Sequence, residues 1–172
     1  PTERKHPMPW LDFREPVSAW THCLWLLLSL PGSYTLWRLS RGDRVKQAGM
    51  LIFGLSLALC YGGSWLYHAV PERLEGPFNV LDHIGIYALI AGTVTPVALV
   101  VLRGWWRAGL LATLWLMAGT GIALRLGTDL PLAGRTAFYL GMGWVGCVTY
   151  FELARRLSHA RIRPIWIGGL FY

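Results

Sequence analysis

Ser64-Trp-Leu-Tyr-His68 closes one long apolar segment, and Asp82-His83 opens the next. On a helix Ser64 and His68 share one face, about one turn apart. Ionisable side chains are costly in segments otherwise fit for lipid, and there they turn towards a protein interior or a site. The four residues therefore read as half of a metal site set among membrane spans.

Composition agrees with a membrane chain. Of 172 residues, 54% are hydrophobic and 15% charged, against about 25% charged in a typical soluble domain. Mean hydropathy is +0.41. Ten tryptophans suit membrane interfaces. The net charge of +7 does not point to nucleic acid, because the basic residues cluster between apolar runs as topology determinants do. Cys23, Cys60 and Cys147 are scattered among apolar neighbours and read as small packing residues.

Working outward from the opening stretch, the second span covers residues 48–70 and the third 79–101, joined by the turn-rich Pro71-Glu-Arg-Leu-Glu-Gly-Pro77. Pro96 should kink the third, with Thr93 and Thr95 nearby to help satisfy freed backbone groups. Before them, residues 1–16 form a polar surface or interfacial segment, and the first span covers 17–39. After them come Arg103-Gly-Trp-Trp-Arg107 as an interfacial turn, a fourth span over 108–124 and a fifth over 137–153. Trp10, Trp105 and Trp106 read as interface anchors. A sixth apolar run starts at Pro164 and stops at Tyr172, short of the roughly 20 residues a span requires. The expectation is that the natural protein continues. The fold class is an all-α polytopic transmembrane bundle. A polar segment (1–16) precedes one transmembrane domain (17–172, incomplete at its C-terminus) of about five complete helices plus part of a sixth.

Consecutive spans are antiparallel. The start of the first, the end of the second and the start of the third must share one membrane face, which collects Glu15, Ser18, His22, Ser64, His68, Asp82 and His83. Ten of the sixteen Lys and Arg residues lie in the connectors at the opposite face. That bias places the opposite face in the cytoplasm and the polar cluster outside. The cell membrane is the expected location.

These residues resemble the hemolysin III family, grouped with the progestin and adipoQ receptors. The matches are Glu15 with Thr21-His22, Ser64-x-x-x-His68, and Asp82-His83-x-x-Ile86-Tyr87 with Gly92-Thr93-x-Thr95-Pro96, in order and in register over nearly the whole chain. Ser18 departs from the asparagine often found at its position. The resemblance implies a seven-helix membrane protein binding Zn2+. The implied ligands are His68 and two histidines of a His-x-x-x-His motif in a seventh helix, which these residues do not include. Ser64 and Asp82 would stand close to the metal. Both orientations in the membrane are assigned within the group.

A catalytic zinc commonly has three protein ligands and one water, whose pKa it lowers to about 7. With His68 as ligand, Asp82 could orient or deprotonate that water, and Ser64 could donate to an oxyanion. Those types suit hydrolysis of an amide or ester in a lipid reaching the site from the bilayer. Plainer alternatives stand beside this. His68 can be an interfacial helix-end histidine, Asp82 an N-cap or first-turn acid, and Ser64 a packing residue. His83 more naturally bonds Tyr87 or a neighbouring helix, and Glu15, Ser18 and His22 can pin the first helix to the next two. A receptor-like protein with a structural zinc is the second functional reading. A pore-forming cytolysin ranks last, since no amphipathic lysis segment is present. Membrane lipids are the expected partners, and no protein partner can be read from the residues.

Overall fold

A computed structural model describes residues 13–128, 131–158, 162–163 and 167. Its helices are α1 (Pro16–Leu39), α2 (Arg44–Ala69), α3 (Glu75–Val101), α4 (Gly104–Gly127) and α5 (Leu132–Arg156), with a 3-10 turn at Glu72–Leu74 leading into α3. No strand occurs among the described residues. The five expected helices are present, each longer than its apolar run because it extends into polar flanks. Of the sixth run, only Ile162, Arg163 and Ile167 are described. His6, Trp10, Asp129 and His159 lie outside the described residues.

Local chemistry sets the boundaries. Pro16 opens α1, where its missing N–H costs nothing. Asp43 caps α2: one carboxylate oxygen accepts from the N–H groups of Val45 and Lys46, both at 3.1 Å. Gly42 takes φ +97° in the preceding turn, a left-handed conformation that suits glycine. Gly104 does the same at φ +57° between α3 and α4.

Helices α2, α3 and α4 are each long and apolar enough to cross a membrane. Helices α1 and α5 match them in length, at 24 and 25 residues. In α1 the apolar run is diluted by Ser, Thr, His, Pro and Gly, and in α5 by Gly, Thr and Arg. Helix α3 is central: it packs against α2, α4 and α5, while α1 packs on α2. Half of its most apolar window is buried, against 22% for α2 and 17% for α4. The outer faces carry exposed Leu24, Trp25, Leu27, Leu28, Leu55, Leu116 and Trp144, as lipid contact requires. One core cluster joins Tyr87, Ile90 and Ala91 of α3 to Leu114 and Ala118 of α4 and Met142 of α5.

Small residues bring α2 and α3 close. A Cβ on Gly85 would lie 2.6 Å from the Cys60 Cα, and one on Gly63 3.1 Å from the Leu81 carbonyl oxygen. Helix α3 runs through Pro96 without interruption. The Thr93 and Thr95 hydroxyls donate to the Leu89 carbonyl at 2.6 Å and the Ala91 carbonyl at 2.8 Å. They do not serve the Gly92 carbonyl that Pro96 deprives of its donor. Each hydroxyl reaches back one turn, to the carbonyl four residues before it. The Thr95 oxygen also accepts from the Trp115 indole at 3.1 Å, tying α3 to α4.

Candidate metal centre

The start of α1, the end of α2 and the start of α3 meet at one face, as antiparallel spans require. Glu15, just before α1, is bound to the last turn of α2 twice. Its N–H donates to the His68 carbonyl at 3.1 Å, and its Oε2 lies 3.0 Å from His68 Nδ1. Arg14 fastens the same segment. Its Nη2 donates to the Tyr67 carbonyl at 2.8 Å, and its Nη1 pairs with Glu75 of α3 at 2.7 Å. The guanidinium lies over the Tyr67 ring, 4.4 Å from its centroid, and the Tyr67 hydroxyl donates to Glu75 at 3.2 Å. Tyr67 and His68 sit in the final turn of α2, whose carbonyls have no partner within the helix. The Arg14–Glu15 pair supplies two. The hydrogen bond to Glu75, above all, holds the Arg14 guanidinium above its ordinary pKa.

His68 is flanked by His22 of α1. The two rings stack at 5.3 Å with planes 4° apart, and His22 also faces Tyr61 at 6.5 Å. His22 Nδ1 is buried and has no hydrogen-bond partner among the described residues. Ser64 is buried one turn before His68. Asp82 is half-buried. It sits on α3, the helix that packs against α2, α4 and α5. It makes no ion pair among the described residues. Because α3 starts at Glu75, Asp82 sits two turns inside the helix, and the N-cap and first-turn readings of it fall away.

His83 bonds a neighbouring helix, not Tyr87. Its Nδ1 lies 2.7 Å from the Asn79 carbonyl, so it donates there, and Nε2 lies 3.2 Å from Arg135 Nη1 of α5. Arg125 of α4 donates to the Asn79 side chain at 2.5 Å. Both ring nitrogens of His83 are thus engaged. Of the proposed α1 network, Glu15 and His22 converge on His68, whereas Ser18 makes no side-chain hydrogen bond among the described residues. Sequence reading missed Arg14, Tyr67 and Glu75 as the fastening of this face, Arg135 as the partner of His83 and Arg125 as the partner of Asn79. The span count alone puts both arginines on this face, but not against these partners.

The donor chemistry fits a zinc ion in part. A carboxylate can only accept, so His68 Nδ1 carries the hydrogen towards Glu15. Nε2, the other potential ligand atom, makes no hydrogen bond among the described residues. Ser64 stands on α2 and Asp82 on α3, two helices that pack against each other. A full set is not present: no three His, Cys, Asp or Glu side chains converge around a metal position among the described residues.

Fold and face together define a multi-pass helical membrane protein, in contact with membrane lipids along its apolar surfaces and carrying a polar histidine–carboxylate cluster at one end. The chain belongs to the hemolysin III family. A family model described as "Haemolysin-III related" matches residues 12–172. A Hemolysin-3 homolog from Bacillus subtilis (strain 168) is 32% identical over 162 residues, covering 92% of this chain and 76% of the relative. Hemolysin-3 from Bacillus cereus is 31% identical over 175 residues, covering 99% of this chain and 80% of the relative.

Proposed function

We propose that the protein is an integral membrane zinc hydrolase acting on a lipid amide or ester, seated in the cell membrane. What supports this reading most is His68: its Nδ1 is held 3.0 Å from Glu15, its Nε2 makes no hydrogen bond among the described residues, and the buried Ser64 stands one turn before it on α2. His68 would hold the metal. Two further ligands are required, and the resemblance supplies them as a His-x-x-x-His pair in a seventh helix. Bound zinc would lower the pKa of a coordinated water to about 7. Asp82 would orient that water and take its proton. The Ser64 hydroxyl would donate to the oxygen that gains charge as the carbonyl is attacked. The apolar outer faces of the helices let a lipid approach from the bilayer.

The His22 ring stacked on His68, with its buried Nδ1 unpartnered among the described residues, favours a second reading. There His22 would complete a closed, structural zinc site in a receptor-like protein, with no position left for water.

The test uses the complete protein purified in detergent or nanodiscs. Metal analysis should find zinc in the wild type and not in His68→Ala, and turnover of a ceramide or ester lipid should be lost in that variant. An absence of zinc, or unchanged turnover in His68→Ala, overturns the first reading. Zinc with no turnover, together with a lowered Tm in His22→Ala, selects the second.

A further inference from the structure

We infer that Glu15 is a positioning residue for His68, fixing the neutral imidazole as the Nδ1–H tautomer and so presenting the Nε2 lone pair to the polar face. Four observations carry this. The Glu15 Oε2 to His68 Nδ1 distance is 3.0 Å, a full hydrogen bond. The carboxylate cannot donate, so the shared proton belongs to the imidazole. Its other oxygen, Oε1, lies 3.6 Å from Arg14 Nη2, which keeps the carboxylate turned towards the ring. The Glu15 backbone is anchored independently, its N–H donating to the His68 carbonyl at 3.1 Å.

Arg14 and Glu15 therefore act as one device. Arg14 bonds the Tyr67 carbonyl and Glu75, which sets the height of the segment against α2 and α3. Glu15 then meets the edge of a ring that has one face covered by His22. Pinned by a bond on one edge and a stack on one face, the imidazole has a single orientation. A free imidazole exchanges between tautomers, and a metal-binding one is commonly fixed by a carboxylate on the nitrogen that faces away from the ion.

The first arm of the test does not depend on metal. The complete protein, labelled with 15N-histidine, is compared metal-free in nanodiscs as wild type, Glu15→Gln and Glu15→Ala, with His68→Gln used to assign the resonances. The wild type should show one Nδ1–H tautomer at His68. Glu15→Ala should show both tautomers in exchange. Glu15→Gln keeps the backbone anchor and the side-chain size, and its amide can accept only a weaker, neutral bond, so it should fall between the two. An unchanged single tautomer in both variants overturns the inference.

The second arm rests on the zinc reading above and measures zinc affinity by chelator competition. Loss of a carboxylate partner of this kind should weaken binding about 10- to 100-fold, and Glu15→Asp should restore part of it. Equal affinity in wild type and Glu15→Ala overturns the inference even where zinc binds. A wild type that binds no zinc while its tautomer responds to Glu15 overturns only the zinc reading.

Discussion

Replacing Gly85 by alanine puts a methyl carbon 2.6 Å from the Cys60 Cα, 3.1 Å from the Cys60 nitrogen and 3.1 Å from the Leu59 carbonyl oxygen. Non-bonded carbons sit about 3.5–4.0 Å apart, so α2 and α3 must separate by about 1 Å along this crossing. The obstructing atoms are backbone, and no rotamer change removes them. Overpacking a buried contact costs about 1–3 kcal/mol, and a backbone obstacle puts Gly85→Ala near the upper end, about 3 kcal/mol. Gly92→Ala is a different case, because it meets the Ser56 side chain. The double variant Gly92→Ala with Ser56→Gly moves the small residue across the interface and should recover most of the loss. Gly119→Ala meets nothing within 4 Å and should be neutral or slightly stabilising. Thermal unfolding in one detergent, read by intrinsic tryptophan fluorescence, ranks the four proteins. Asp82 lies three residues before Gly85, so on the zinc reading proposed above metal affinity should fall in Gly85→Ala along with its Tm. A Tm for Gly85→Ala equal to wild type would mean that α2 and α3 do not approach this closely, and the placement of Asp82 beside the end of α2 would fall with it.

Arg14→Ala removes the donor to the Tyr67 carbonyl and the partner of Glu75. It should cost about 1 kcal/mol in urea-induced unfolding and raise proteolysis of the segment before α1. Asp43→Ala removes the cap of α2 and should lower Tm, while Asp43→Asn keeps an acceptor and should lower it less. The Lys46 N–H, first among its partners, holds the Asp43 carboxyl below its usual range. Its contribution is therefore complete above the unfolded carboxyl pKa of about 3.9 and is lost as pH falls through the lower folded value. Melting curves between pH 6 and 3 should show that the acid-induced loss is smaller in Asp43→Asn than in wild type. Arg135→Gln removes the charged donor to His83 Nε2. Because Nδ1 stays bound to the Asn79 carbonyl, α5 should loosen, with faster amide exchange at its start, while the His68–Glu15 bond is unchanged.

Much of this architecture is written in the order of residues. Apolar runs of helical length separated by basic and proline-containing connectors dictate a bundle of membrane-length helices, because unsatisfied backbone groups have no place in lipid. Alternation of direction then puts Glu15, His22, Ser64, His68 and Asp82 at one end whatever the packing. The same logic could not say which side chains touch. That Asp82 lies two turns inside α3, and is no cap, follows from the helix starting at Glu75, seven residues earlier and in polar sequence. The bonding of His83 to α5, the stacking of His22 on His68 and the fastening by Arg14 and Glu75 depend on azimuth and distance between helices. The tertiary structure decided those through the near-contact of α2 and α3 at Gly85 and Gly63, since a helix rotates freely about its own axis until a neighbour's side chains fill the grooves beside it.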